Sequence, residues 1–282
     1  MLGQRARIAV AEIIIYVVLL PVAVFCHFQH RKNVSAYWRI ILFCAIRIAS
    51  SALVIYIDQN SSSLGVEIAA IILLSIASSP LISAYVNFIS PTKVLKPKGE
   101  KKGPRLELSI DRGFDLMLIA AIVLGSIGGS DTADGDADDL KTGLALSKAS
   151  TLIMLVVLVL SSMHALYYIL HVDTLSLAKR NHILRFMTAF PFILVRLIYS
   201  ILSIFTMNSD GYFGSSADVS KWNSIEGSWQ IYLVMGVLME VITVIIYSAV
   251  GLYENMHDNT QNSDIDLHYL ASHEQSAPKF EP

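Results

Sequence analysis

Apolar residues gather into seven long runs, at about 8–27, 37–57, 66–89, 114–129, 149–170, 185–207 and 229–253, separated by short polar connections. Each approaches the ~20 residues that an α-helix needs to cross the hydrocarbon core of a bilayer. Backbone polar groups in lipid must be satisfied within the segment, so every run is predicted to be a helix. The pattern therefore specifies an all-α polytopic membrane protein, a bundle of seven transmembrane helices. Residues 1–253 form its membrane domain, and 254–282 form a polar cytoplasmic tail whose composition predicts disorder. Pro21, Pro80 and Pro191 fall inside runs and predict kinks. The fourth run is the shortest, and Gly125, Gly128 and Gly129 predict that its helix ends early.

Arg5 and Arg7 before the first run resemble the start of a signal peptide. Glu12 interrupts that run, however, and no small-residue cleavage site follows, so the run is expected to remain as the first span. With about seven residues ahead of it, no extracellular domain is expected. Orientation follows the excess of Lys and Arg in short cytoplasmic loops. The first, third and fifth connections carry twelve, among them Lys93, Lys96, Lys98, Lys101 and Lys102. The opposite side carries five, together with the acidic run Asp131, Asp134, Asp136, Asp138 and Asp139. This places the N-terminus outside and the C-terminus in the cytoplasm, with Arg5 and Arg7 pulling locally the other way.

Composition narrows the partners. The chain is 54% hydrophobic and 16% charged with a net charge of −2, which provides a lipid-facing surface but no basic footprint for nucleic acid. Cys26 and Cys44 both lie in apolar runs, so packing roles rather than a disulfide framework are expected. The Asp134–Asp136–Asp138 spacing begins like a calcium loop, but Ala145 stands where the closing Glu belongs, which leaves a solvated acidic loop. Asn60-Ser61-Ser62 is a glycosylation sequon on the predicted outer side, whereas the sequon at Asn33 falls on the cytoplasmic side.

The chemistry is concentrated in charges embedded in the apolar runs: Glu12, Arg47, Arg196 and Glu240, which sum to zero. A charge at mid-bilayer costs roughly 2.5–3.5 kcal/mol even by insertion scales, so such groups face one another or a polar cavity. Two readings compete: ion pairs that fix helix packing, and a pocket of Arg47, Arg196, Glu240 and His164 that binds a small lipophilic ligand. His164 has no second mid-span histidine to share a metal with, so neither a metal nor another cofactor is expected. No phosphate loop, nucleophile elbow or dinucleotide fingerprint occurs.

Arg7–Val24, Trp38–Leu53, the SPLI at Ser79–Ile82, Phe190–Leu202 and Gln230–Tyr247 together resemble a family of uncharacterised fungal seven-span integral membrane proteins. The embedded Glu12, Tyr16, Arg47, Arg196, Tyr199 and Glu240 carry most of that resemblance. It implies the fold and a fungal source, and no activity or cofactor. Retinal proteins require a mid-span lysine in the last helix, where Glu240 stands instead. The third run ends VNFIS, without the acidic-Arg-Tyr triplet of rhodopsin-type receptors. The leading expectation is a non-enzymatic, receptor- or sensor-like protein. One alternative is a membrane-embedded biosynthetic enzyme or accessory in fungal secondary metabolism, with Glu240 or Glu12 as proton donor in the manner of terpene cyclases. A transporter is the third, disfavoured by the lack of an internal repeat.

Overall fold

The computed structural model describes residues 3–29, 34–59, 64–90, 105–132, 137–171, 177–206, 221–222, 227–254 and 256. Asn33, the Asn60-Ser61-Ser62 sequon, the lysine-rich stretch 93–102, Asp134, Asp136 and the tail from 257 onward lie outside the described residues. Among those described, all regular structure is helical. Seven helices are long and apolar enough to cross a membrane: Gln4–Gln29, Val34–Gln59, Ile68–Ile89, Arg112–Asp131, Asp138–His171, Arg180–Phe205 and Trp229–Glu254. By length and composition the chain is a multi-pass membrane protein.

The first and second spans pair as a hairpin, as do the fourth and fifth. The third sits centrally, packed on the second, fourth and fifth spans and on the start of the sixth. Its helices Leu64–Ile76 and Ser78–Ile89 are separated at Ala77. Pro80 lacks the N–H that would reach back four residues, so the break falls in the turn before it. The sixth span divides in the same way into Leu177–Met187 and Phe190–Phe205, with Pro191 opening the second piece. At the joint, Thr188 N–H donates to the Arg185 carbonyl (3.3 Å) and Ala189 N–H to the Phe186 carbonyl (3.1 Å), a tightened three-residue turn. Pro21 lies within the uninterrupted helix Gln4–Gln29.

The fourth span corrects its sequence expectation. Its helix runs over Arg105–Asp131, through the glycines and past them. Here glycine serves close approach rather than termination. A Cβ on Gly128 would lie 2.7 Å from the Gly143 carbonyl oxygen, and one on Gly143 would lie 2.8 Å from the Gly128 oxygen. Small residues thus let the backbones of the fourth and fifth spans nearly touch, as membrane helices commonly do.

The bundle has two unlike halves. We call the end where the first and seventh spans begin the near end. Toward the far end lies an aromatic layer: Phe88 stacks on Phe186 with centroids 4.0 Å apart, and Tyr37 and Tyr247 close on Phe88 at 5.1 and 5.2 Å. All four are fully buried. Arg39 ties three spans together at that end, donating to the Ser83 carbonyl (2.9 Å) and to Asp115 (3.1 Å). Polar groups collect instead between mid-bundle and the near end, while Ile14, Val18, Leu116, Ile119 and Met163 lie on the outer surface, where lipid would cover them.

Candidate functional site

Four spans each carry a polar stripe at helical spacing inside an apolar segment. The first offers Arg5, Glu12 and Tyr16; the second Arg47, Ser50, Ser51 and Asp58. The sixth offers Arg196, Tyr199, Ser200 and Ser203, and the seventh Tyr232 and Glu240. Offsets of 3, 4, 7 and 11 residues return to one helix face, so the stripes of the first, second and sixth spans each point in a single direction, while the eight-residue offset in the seventh needs a wider turn. Folding turns all four inward.

Glu240 is the hub. It is fully buried, and its carboxylate meets two cations. Arg196 Nε donates to Oε1 at 2.6 Å, and the Arg47 guanidinium contacts Oε2. Tyr16 adds a long hydroxyl contact to Oε2 at 3.5 Å. Arg196 is held from behind by the Ser200 hydroxyl and lies over the Tyr199 ring, 5.7 Å from its centroid. Arg47 is also completely enclosed, and its Nε and Nη1 have no hydrogen-bond partner among the described residues. Glu240 lies roughly 16 Å below Trp229 at 1.5 Å per residue, close to mid-bilayer.

Glu12 forms a second node nearer the entrance. Its oxygens accept from neutral hydroxyls, Ser51 at 2.8 Å and Tyr232 at 2.9 Å, while Arg47 lies within electrostatic reach. The seventh span therefore touches both nodes, through Tyr232 and Glu240. It does so because Tyr232–Leu238 is a π-helix. Tyr232, Gly236 and Glu240, spaced by four, are all buried, and the usual three-and-four rhythm of Thr243, Val244, Tyr247 and Ser248 follows. The wider turn brings Tyr232 and Glu240 onto one face, and π segments of this kind recur at functional sites.

A cavity of about 200 Å³ opens above Glu12 between the first, second, third and seventh spans, bounded by Arg5, Glu12, Ser51, Asp58, Leu74 and Tyr232. A smaller recess of about 50 Å³, large enough for a few waters, reaches Arg196 from the other side of Leu74 and is lined by Ser78, Ser147, Ser150 and Ser203. Leu74 lines both.

Of the residues singled out from sequence, Arg47, Arg196 and Glu240 come together as one cluster, with Glu12 adjacent. His164 makes no hydrogen bond or ion pair with them among the described residues. Its ring packs edge-on against Tyr168 at 5.0 Å, and its Nε2 is buried without a partner. Arg5, which sequence places ahead of the first span as a topology signal, is part of the site: Nη2 donates to the Gly227 carbonyl at 2.8 Å and its guanidinium covers Tyr232 at 4.7 Å. Ser51, Asp58 and Tyr232 went unrecognised, although their spacing from Arg47 and Glu240 was a usable signal. No group of three or more His, Cys, Asp or Glu side chains capable of holding a metal occurs among the described residues.

Residues 2–257 match the model of a domain of unknown function, DUF7702. The chain belongs to that family. The DUF7702 match spans the whole bundle, including every residue of the ionic hub and the cavity. No curated protein and no solved structure matches the chain.

Proposed function

We propose that this DUF7702 protein is a receptor- or sensor-like membrane protein that takes a small lipophilic ligand into the near-end cavity. One observation carries the reading. The carboxylate at the cavity floor, Glu12, shares the seventh span with the ionic hub, so an occupant pressing on Glu12 or Tyr232 acts on the helix that holds Glu240. The hub then serves as the element that registers occupancy. The opposite end is closed by the aromatic layer, which favours one-sided access over alternating access and so a receptor over a transporter. The excess of basic residues in the first, third and fifth connections supports an extracellular or lumenal near end and a cytoplasmic tail. A fungal source belongs to the same proposal, supported by the resemblance noted above.

If the cavity performs chemistry instead, the acid that meets its contents is Glu12. Glu240 has no exposed surface and is clasped by two arginines. An embedded enzyme would therefore lose turnover with Glu12→Gln.

The test is thermal unfolding of the full-length protein in lipid nanodiscs against a panel of short lipophilic molecules, with Val54→Trp filling the cavity. A ligand that binds only the folded state raises the midpoint. At least one compound should stabilise the wild type and not Val54→Trp. Stabilisation that is indifferent to Val54→Trp, or absent across the panel, removes the reading.

A further inference from the structure

The near-end cavity is short of one kind of hydrogen-bonding group. The Ser51 hydroxyl donates to Glu12, that of Tyr232 donates to Glu12, and that of Ser50 donates to the Arg47 carbonyl at 3.0 Å. Each neutral donor on the wall is thereby engaged, and what these hydroxyls still present is lone pairs. The acids have spare capacity. A carboxylate offers about four acceptor sites. Two hydroxyls engage Glu12, and the Gly3 N–H engages Asp58 at 2.9 Å. Arg5 is the cation on this wall, and it is turned to the Gly227 carbonyl and the Tyr232 ring. The wall charges, Glu12 and Asp58 against Arg5, leave a net −1. Arg47, Arg196 and Glu240 below leave +1; both arginines contact Glu240, and Arg47 also stands within electrostatic reach of Glu12. Val54, Ile57, Leu74 and Ala9 supply an apolar flank.

Resting on the ligand-binding reading, we infer that the cavity takes a small primary ammonium compound with an apolar body. Its N–H groups meet Glu12 at the floor, and its hydrocarbon lies along Val54 and Leu74 toward the rim. At about 200 Å³ the space falls below the range of drug-sized ligands, which selects a short-chain amine. An ammonium brings three donors and no acceptor, the complement of this wall. A carboxylate of the same length places its charge against two acids, and an alcohol supplies one donor where three are accommodated.

The experiment uses full-length protein in phosphatidylcholine nanodiscs at neutral pH and measures binding of hexylammonium, 1-hexanol and hexanoate by calorimetry. Empty nanodiscs are subtracted for partitioning. Hexylammonium should bind saturably and hexanoate should not. Glu12→Gln should weaken hexylammonium at least tenfold, as expected for loss of a hydrogen bond to a charged group, and Asp58→Asn, at an exposed rim position that does not endanger folding, should weaken it less, through loss of longer-range attraction. Val54→Trp should abolish binding. Equal or tighter binding of hexanol or hexanoate, blocked by Val54→Trp, overturns the ammonium assignment and leaves the cavity reading standing. Hexylammonium binding unchanged in Asp58→Asn and Glu12→Gln overturns the assignment as well. Binding of every compound unaffected by Val54→Trp overturns both.

Discussion

Replacing Arg47 by Met distinguishes the two carboxylates it serves. The side chain is wholly enclosed and contacts Glu240 while facing Glu12. Removing one partner of a buried ion pair costs about 3–5 kcal/mol, because a charge is left without compensation. Glu240 is not the group abandoned here, since it retains Arg196 at 2.6 Å. Glu12 is, with two hydroxyls in contact and Arg5 as the remaining cation in electrostatic reach. Arg47→Met should thus lower stability by several kcal/mol, and adding Glu12→Gln should recover about 1–3 kcal/mol, the size expected for coupled neighbours. Adding Glu240→Gln instead restores the same formal neutrality, yet it leaves Arg196 and Glu12 charged without a contacting counter-charge. That double variant should be no more stable than Arg47→Met alone. Equilibrium unfolding by SDS titration from mild detergent, followed by tryptophan fluorescence, gives the four stabilities needed for each cycle. Equal recovery from Glu12→Gln and Glu240→Gln would refute the reasoning, since net charge rather than contact geometry would then govern the cluster. An Arg47→Met variant as stable as wild type would refute it too.

Backbone contact between the fourth and fifth spans makes Gly128→Ala and Gly143→Ala overpacking changes, each expected to cost about 1–3 kcal/mol in thermal or SDS unfolding; wild-type stability in both would contradict the packing. Gly251→Ala drives a methyl into the Tyr37 hydroxyl, so it should destabilise, and Tyr37→Phe added to it should recover part of the loss. An intact-cell protease digest should leave a C-terminal epitope protected and cleave an N-terminal one; the reverse pattern would invert the proposed orientation.

The number of spans and the membership of the ionic hub were legible because both rest on one-dimensional signals, long apolar runs and charges that lipid does not tolerate alone. Which face of each helix turns inward was harder to read. In water an apolar stripe marks the buried side, but here Ile14, Val17 and Val18 face outward while Tyr16 and Glu12 are enclosed. The informative stripe is the polar one, and it was visible in Arg47, Ser51 and Asp58 without being used. Pro80 and Pro191 marked their breaks correctly because a missing N–H acts locally. Gly125 and Gly128 misled because the same residue ends a helix or admits a neighbour, and only the partner's position, at Gly143, decides. The π segment over Tyr232–Leu238 had no counterpart in the apolar pattern, which runs unbroken through 229–253.

The stacked rings of Phe88 and Phe186 also bear on the electrical profile of the bundle. Voltage falls where ions and water do not penetrate, and a bundle open at one end and sealed by aromatic side chains at the other concentrates the drop across the seal. A unit charge moved through the full field exchanges about 2.3 kcal/mol per 100 mV. On the proposed reading, an occupant resting on Glu12 has crossed only the open portion and collects a small fraction of that, so its occupancy should hardly change when the membrane is polarised.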